Sequence, residues 1–275
     1  MVEEQQLMKL SYTLSVQNTS CNFISRGGWT DKVFYLSGLG YDGVELSIRD
    51  PKMVKAGLIE NILNKSKLEL SAIGTGQMFA DDGLSLCSLE KSRRKRAIER
   101  IKEHINMASL FNSQVIIGLA RGRKKRPQDP EEKYSKNLIQ SFQAVCTYAD
   151  KKKVNIVIEP INRYETGFLN CAHEALDFIR GFKCKYLKIL LDTFHMNIEE
   201  KNFAHPILES RKYLAHMHLA DSNRRVVGSG HIDFKEVIGC LKICGYQGYL
   251  SAEIIPVPDF KTCARDYRNN MRRLL

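Results

Sequence analysis

The sequence predicts an α/β fold, a (β/α)₈ TIM barrel forming a single domain over residues 1–275. Short runs of β-branched and apolar residues alternate with helical stretches of about 10 to 20 residues, which indicates a parallel sheet. There are eight such runs, and eight is the number of strands in this barrel. No linker rich in Pro, Gly or Ser divides the chain, so we expect one domain without an internal boundary.

The predicted strands are the segments in which apolar and β-branched residues predominate. In chain order they are residues 9–16, 42–48, 68–74, 113–119, 154–160, 186–192, 213–219 and 249–255. Most predicted helices have one charged and one apolar face, as helices around a barrel should. They cover residues 51–65, 89–111, 131–152, 171–182, 203–211, 233–244 and 259–275. The longest irregular segments, 74–86 and 121–130, follow strands, on the face where barrel active sites are built.

Composition limits the class of protein. A chain of 275 residues that is 43% hydrophobic can bury one large core. It contains no apolar run of membrane-spanning length and no secretory signal at its start, so we expect a cytoplasmic protein with no membrane partner. The eight cysteines form no CxxC pair, which favours reduced thiols over disulfides.

The formal net charge of +11 favours an anionic partner without identifying it. Much of the excess lies in four basic runs, at residues 91–96, 121–126, 151–153 and in the C-terminal RRLL. Three of these runs are interpreted as solvated helix faces and loops. The run at 121–126 directly follows a predicted strand, so contact with a substrate phosphate is weighed there against an exposed loop.

Four candidate metal ligands occupy corresponding places on the last four predicted strands. Glu159, Asp192 and His218 end the fifth, sixth and seventh strands, and Glu253 lies near the end of the eighth. Closing the sheet brings neighbouring strand ends about 5 Å apart, so the four side chains can surround one divalent ion. Three carboxylates and one imidazole suit Mn²⁺ best, with Mg²⁺ or Co²⁺ as alternatives, and do not resemble a closed structural zinc site.

Any one of these residues, taken alone, is more often a helix cap or a salt-bridge partner. A carboxylate in an apolar strand is nevertheless costly to bury unless it is paired or metal-bound, so four in succession favour a metal site. His216 shares a strand face with His218 and is interpreted as a core or supporting residue. His195 follows Asp192 in a predicted loop, where we expect it to contact a polar substrate. Structural roles are expected for the histidines on or beside helices, which are His104, His173 and His205.

Several segments resemble one known family. They are EPINRYE (159–165), LDTFHMNIEE (191–200), HMHLADSNR (216–224), GSGHIDF (228–234) and AEI (252–254). In this order they are similar to the xylose isomerase-like barrels of the sugar-phosphate isomerase/epimerase group, especially D-tagatose 3-epimerase and D-psicose 3-epimerase. GVELSIRDP (43–51) and IGTGQMFADDGLSL (73–86) also fit, so the resemblance spans nearly the whole chain.

The resemblance implies the same four metal ligands and adds roles for other residues. Glu159 and Glu253 would form an acid/base pair on opposite sides of the substrate, while His195, Arg224 and Glu165 would bind or orient sugar oxygens. The implied activity is that of a ketose 3-epimerase, which acts through an enediolate on a sugar or a sugar phosphate. A homodimer or homotetramer is also implied.

Other functions compete with this one. Return of the proton to the neighbouring carbon would make the site an aldose-ketose isomerase, and hydroxypyruvate isomerase and inosose dehydratase are further alternatives. Endonuclease IV shares the barrel, but its trinuclear zinc site needs additional histidines that the second and third predicted strands lack. We therefore expect no nucleic-acid partner. A noncatalytic binding barrel is disfavoured because all four ligands are intact.

Two positions depart from the family pattern. Val227 stands where relatives often have proline before GxGHIDF, so the loop that carries Arg224 is expected to sit differently. The segment RGRKKRP (121–127) is unusually basic, which is why a phosphorylated substrate is considered. The first predicted strand carries no clear substrate determinant, so the sequence leaves the sugar unidentified.

Overall fold

Eight parallel strands close into a barrel in chain order, with β8 pairing to β1, in a computed structural model that describes residues 8–123 and 131–275. The strands are Lys9–Ser15 (β1), Gly43–Ser47 (β2), Glu69–Gly74 (β3), Val115–Ile117 (β4), Ile156–Ile158 (β5), Leu187–Asp192 (β6), Leu214–His218 (β7) and Tyr249–Ala252 (β8). Each lies within one of the predicted segments. The predicted fold class is confirmed.

Helices follow the strands and surround the barrel. They are Trp29–Leu39 (α1), Ala56–Ser66 (α2), Gly76–Ala80 (α3), Lys91–Leu110 (α4), Glu131–Lys152 (α5), Ala172–Arg180 (α6), Thr193–Glu199 (α7), Ala204–Ser210 (α8), Phe234–Ile243 (α9) and Phe260–Leu274 (α10). Short 3₁₀ turns occur at Pro51–Met53 and Leu119–Arg121. Within the described ranges, no helix combines the length and the apolar character needed to cross a bilayer.

Three of these helices were not predicted. Helix α1 contains a glycine and several aromatic residues, which are weak helix formers, and it is stabilised by burying Val33 and Leu36. Helices α3 and α7 are only 5 and 7 residues long, too short to show a helical period. Both begin directly after a strand, so they lie on the face that carries the candidate ligands.

The strands separate a large apolar core from a more polar interior. Residues that point toward the helices, such as Ile73, Ile117 and Ile189, belong to the large core. Inside the barrel lies a small separate apolar cluster, formed by Ala72, Ile116, Val157 and Leu190. Hydrogen bonds between hydroxyls also cross the interior, from Ser11 to Ser71 at 2.7 Å and from Thr13 to Ser251 at 3.3 Å. The barrel interior can therefore accommodate polar groups close to the site.

Candidate metal centre and active site

The four predicted ligands meet at the carboxyl end of the barrel. Asp192 and His218 are the last residues of β6 and β7, while Glu159 and Glu253 directly follow β5 and β8. Their candidate ligand atoms all lie within 4.8 Å of one another. His218 Nδ1 is 3.5 Å from Glu159 Oε1, 3.7 Å from Glu253 Oε2 and 4.0 Å from Asp192 Oδ2. The structure thus brings the four side chains together around one point.

Three of these atoms are buried without a hydrogen-bond partner. They are Glu159 Oε1, Asp192 Oδ2 and His218 Nδ1. An unpaired buried polar atom costs about 1–3 kcal/mol, so three that face one point indicate that a bound group belongs there. A divalent cation fits, because it accepts lone pairs from carboxylate oxygens and from an imidazole nitrogen at once.

The clustered carboxylates at this point also favour binding of a cation. Burial raises the pKa of Asp192 to about 7 and that of Glu253 to about 8, although the positive charges of His218 and Arg224 oppose the rise. Glu159 adds to both shifts by repulsion. A divalent ion among these carboxylates would favour their ionised forms.

A buried carboxylate behind the site orients two histidines. Glu45, on β2, is 1% exposed, and its Oε2 accepts hydrogen bonds from His216 Nε2 at 2.8 Å and His218 Nε2 at 3.0 Å. Gln114 Nε2 donates to His216 Nδ1 at 3.0 Å, which fixes the His216 proton on Nε2. Glu45 also holds a proton on His218 Nε2, so a bound cation would displace the second proton of the ring and take the lone pair of His218 Nδ1. His216 therefore has the supporting position that the sequence indicated.

The surroundings of Glu45 stabilise its ionised form. Burial alone would raise its pKa, but the charge of His218 and the hydrogen bonds from both histidines hold the pKa of Glu45 well below its usual range. Glu45 is therefore an ionised acceptor inside the barrel. A charged acceptor makes the hydrogen bonds that orient His218 stronger than a neutral one would.

Arg224 lies between two acids at the mouth of the site. Its Nη1 donates to Glu165 Oε1 at 3.0 Å, and its Nη2 donates to Glu253 Oε2 at 3.1 Å. The guanidinium also lies between two rings, 4.2 Å from the centroid of Phe23 and 4.9 Å from that of Phe194. The structure thus places Arg224 directly beside Glu253, and Glu165 beside Arg224.

The loop that presents Arg224 is fixed from within. The carboxylate of Asp221 accepts three backbone N–H groups across the loop, those of Ser222, Gly228 and Ile232. Arg224 itself has a φ of 57°, a left-handed conformation that is uncommon for a residue with a side chain. Val227 is buried, and its carbonyl accepts a hydrogen bond of 2.7 Å from Asn270. Packing and this hydrogen bond anchor the loop at Val227.

His195 lies in helix α7, so the prediction that it lies in a loop was wrong. Asp192 Oδ1 accepts the backbone N–H of Phe194 at 2.8 Å and thereby caps the helix directly after β6. This cap starts the helix at the strand end, and His195 falls in its first turn. His195 Nε2 is 3.8 Å from Asp192 Oδ2, so the side chain still reaches the ligand group.

Asn162 sets the proton position of His195. Asn162 Nδ2 donates to His195 Nδ1 at 2.8 Å and to Glu165 Oε1 at 3.0 Å. Burial, followed by the positive charge of Arg224, lowers the pKa of His195 well below its usual value. The ring is therefore neutral and carries its proton on Nε2, which lies 3.9 Å from Glu159 Oε1. His195 can donate one hydrogen bond to a ligand in the site.

The segment after β4 shapes the position of Glu159. A Cβ added at Gly118 would overlap Glu159 Oε2, so a larger residue there would push this carboxylate out of its present position. Arg121 is fully buried and donates hydrogen bonds to the carbonyls of Glu159 and Leu169. Burial lowers the pKa of Arg121 to about 10. The first residue of the basic run 121–127 therefore supports the site from behind and contacts no solvent, while residues 124–127 lie outside the described ranges.

Three further histidines lie elsewhere, as predicted. His104 is buried in α4, within 2.7 Å of the carbonyls of Arg100 and Ile48. His173 on α6 and His205 on α8 lie near the carboxylate of Glu209. Among the described residues, the other group with metal-ligand spacing is Glu45, His216 and His218, which shares His218 and is joined by hydrogen bonds. The described residues thus offer no independent second or third metal site of the kind a trinuclear nuclease needs.

Sequence reasoning missed several residues of the site. Glu45 carried a usable signal, because it is a carboxylate in the otherwise apolar segment GVELSI. Asn162 stood within the segment EPINRYE but was given no role. The position of Gly118 after a strand was a weaker signal. Nothing local distinguished Arg121 from the basic residues that follow it.

The chain is similar to known proteins over most of its length. Residues 34–273 match the family model described as xylose isomerase-like TIM barrel. D-psicose 3-epimerase from Enterocloster bolteae is 31% identical over 80% of this chain and 73% of that protein. The 3-dehydro-D-guloside 4-epimerase of Escherichia coli K12 is 26% identical over 81% of this chain and 86% of its own length.

Similarity extends to solved structures. The structure of D-allulose 3-epimerase from Methylomonas sp. in complex with D-allulose has a TM-score of 0.82 to this chain, with 21% sequence identity and 98% of both chains covered. Fold, sequence segments and family model therefore agree. The chain belongs to the xylose isomerase-like TIM barrel family, as its sequence segments indicated.

Proposed function

We propose that this protein is a sugar epimerase of the ketose 3-epimerase type, dependent on one divalent metal ion. The observation that carries the proposal is the convergence of Glu159, Asp192, His218 and Glu253 on one point, with buried unpaired atoms facing it. Relatives named as ketose 3-epimerases and a 4-epimerase support epimerisation of a sugar. Mn²⁺ is the ion best matched to three carboxylates and one imidazole, with Mg²⁺ or Co²⁺ as alternatives.

In the proposed mechanism the two glutamates serve opposite faces of the substrate. Glu159 follows β5 and Glu253 follows β8, and two other strands lie between them in the closed sheet. A bound metal would polarise the ketose carbonyl and a neighbouring hydroxyl, which makes the adjacent C–H more acidic. One glutamate removes that proton, and the other returns a proton to the opposite face of the resulting enediolate. The configuration of the carbon is thereby inverted.

Neighbouring side chains would orient the sugar and its developing charge. His195 donates through Nε2 to a sugar oxygen, because its Nδ1 is occupied by Asn162. Arg224 exchanges its contact with Glu253 for an oxygen of the substrate and stabilises negative charge on it. Glu165 accepts from a sugar hydroxyl while holding Arg224 in place.

Incubation with a panel of ketoses in D₂O tests this function. The Mn²⁺-loaded protein should form new ketoses that carry deuterium at the inverted carbon, because the returned proton comes from a base that exchanges with solvent. The variant Glu253→Gln keeps its size and an oxygen ligand but loses the base, so turnover should fall by at least about a hundredfold. Metal content is measured in the same preparation.

The outcomes separate the alternatives. A metal-loaded Glu253→Gln protein with near wild-type turnover would overturn the two-base mechanism. A shielded base can return the original proton, so the turnover of this variant outweighs an absence of deuterium. An aldose product would instead assign an aldose-ketose isomerase. Two or three tightly held zinc ions per chain would contradict the mononuclear site and favour a nuclease.

A further inference from the structure

A wide cleft opens next to the active-site cavity, and we call it the outer cleft. It has a volume of about 710 Å³, and its walls include Phe79, Leu89, Arg93, Leu119, Arg123 and Tyr164. Leu119 and Glu165 line both the outer cleft and the active-site cavity. The outer cleft therefore continues directly from the place where the reacting carbons would lie.

The enclosed part of the active-site cavity is small. Its volume is about 30 Å³, which is space for about two water molecules. Another large cavity, lined by Glu69, Ser71 and Gln114, shares no lining residue with the active site. The part of a substrate beyond the reacting carbons can therefore extend past Leu119 into the outer cleft.

Two arginines make the wall of the outer cleft positively charged. The guanidinium of Arg123 lies 5.9 Å from the centroid of the Phe79 ring. Among the described residues, no carboxylate lies within 4.0 Å of a side-chain nitrogen of Arg123, the limit for an ion pair. Arg93 makes one exposed ion pair, in which its Nε is 3.4 Å from Glu90 Oε2. Arg123 thus offers a positive charge to whatever occupies the cleft.

The acid in the wall does not cancel this charge. Glu165 Oε1 accepts from Arg224 at 3.0 Å and from Asn162 at 3.0 Å, so its charge is directed toward the active site. Two other arginines of the basic runs, Arg121 and Arg94, do not line the cleft. Arg121 is buried behind Glu159, and Arg94 donates to the carbonyl of Ser88 at 2.7 Å. Among the described residues of the basic runs at 91–96 and 121–126, Arg93 and Arg123 therefore line the cleft.

We propose that the outer cleft binds the phosphate of a phosphorylated ketose whose reacting carbons lie between Glu159 and Glu253. This rests on the proposed function, because it extends the substrate of the same site. Guanidinium groups suit a phosphate, since their planar N–H donors match its oxygens in pairs. The ring of Phe79 supports the Arg123 side chain, while the exposed side chains of Leu89 and Tyr164 border the cleft.

Paired substrates and charge-removing variants test this assignment. We would compare D-fructose with D-fructose 6-phosphate, and D-ribulose with D-ribulose 5-phosphate, using Mn²⁺-loaded protein. The measured quantity is the ratio of kcat/KM for the phosphorylated sugar to kcat/KM for the free sugar. Arg123→Gln should lower this ratio roughly tenfold, because a charge-assisted hydrogen bond to phosphate is lost. Arg93→Gln should lower it in the same direction.

Arg96→Gln is the matched control, because it removes the same charge from an exposed position of α4 that does not line the outer cleft. It should leave the ratio unchanged. A ratio that stays constant in Arg123→Gln and Arg93→Gln, or that falls equally in Arg96→Gln, would overturn the assignment.

Calorimetric binding separates this inference from the proposed function. If free ketoses are epimerised while D-fructose 6-phosphate binds no more tightly than D-fructose, the phosphate site is wrong and the proposed function stands. If no sugar is turned over but D-fructose 6-phosphate binds more tightly than D-fructose, and Arg123→Gln removes that difference, the cleft assignment stands and the proposed function fails.

Discussion

Replacing Glu45 with glutamine should weaken metal binding without touching any proposed ligand. Glu45 Oε2 accepts N–H groups of His216 and His218, and the glutamine keeps the shape but not the charge. Hydrogen bonds to a charged partner contribute about 1.5–3 kcal/mol, against about 0.5–1.5 kcal/mol for neutral pairs. Each bond therefore weakens by about 1–1.5 kcal/mol. Because these hydrogen bonds orient a metal ligand, their weakening should raise the Kd for the metal about tenfold to hundredfold.

Calorimetric titration of metal-free protein with Mn²⁺ measures this change directly. Glu69→Gln is the control, since Glu69 lies on the neighbouring strand β3 but contacts Lys9 and Tyr249 in place of a histidine. Its Kd for Mn²⁺ should equal that of the wild type, and thermal unfolding should show that both variants are folded. A folded Glu45→Gln protein that binds Mn²⁺ within twofold of the wild type would refute the orienting role of Glu45.

Other predictions concern single residues around the site. Asp192→Asn should raise the Kd for Mn²⁺ because a charged ligand is lost. If the variant keeps its full metal content and activity after gel filtration, Asp192 is not a metal ligand. Asn162→Ala releases His195 Nδ1 and should lower kcat/KM about tenfold at unchanged metal content, so wild-type kinetics would contradict this role. Arg121→Met leaves buried carbonyls unpaired and should lower the free energy of unfolding by at least about 3 kcal/mol. Urea denaturation measures that loss, and a change below about 1 kcal/mol would show that water satisfies those carbonyls.

The barrel and its four convergent side chains could be predicted because their signals are local. Each candidate ligand stands at or near the end of an apolar run, as Glu159 does after NIVI and His218 does in YLAHMHL. Strand ends can be read from such runs, and a closed parallel sheet then brings them to one edge. The position of His195 relative to these ends was predicted too, but not the helix that carries it, because seven residues show no helical period.

Interactions between distant parts of the chain could not be predicted in this way. Glu45 is 173 residues from His218, and their contact depends on how the strands align around the barrel. Arg121 looks in the sequence like the start of a basic surface run. Its burial depends on carbonyls that the segment after β5 supplies, such as that of Leu169. Charge patterning along the chain contains no information about those carbonyls.

The pairing of β1 with β8 has a consequence for biosynthesis. Lys9 pairs with Tyr249, which is made 249−9=240 residues later. At about 5–20 residues per second, the free edge of β1 waits roughly 12 to 48 s for its last neighbour. Unpaired strand edges promote aggregation. Because β1 turns Ser11 and Thr13 toward the barrel interior, one face of the waiting strand is hydrophilic, which limits its adhesion to other nascent chains.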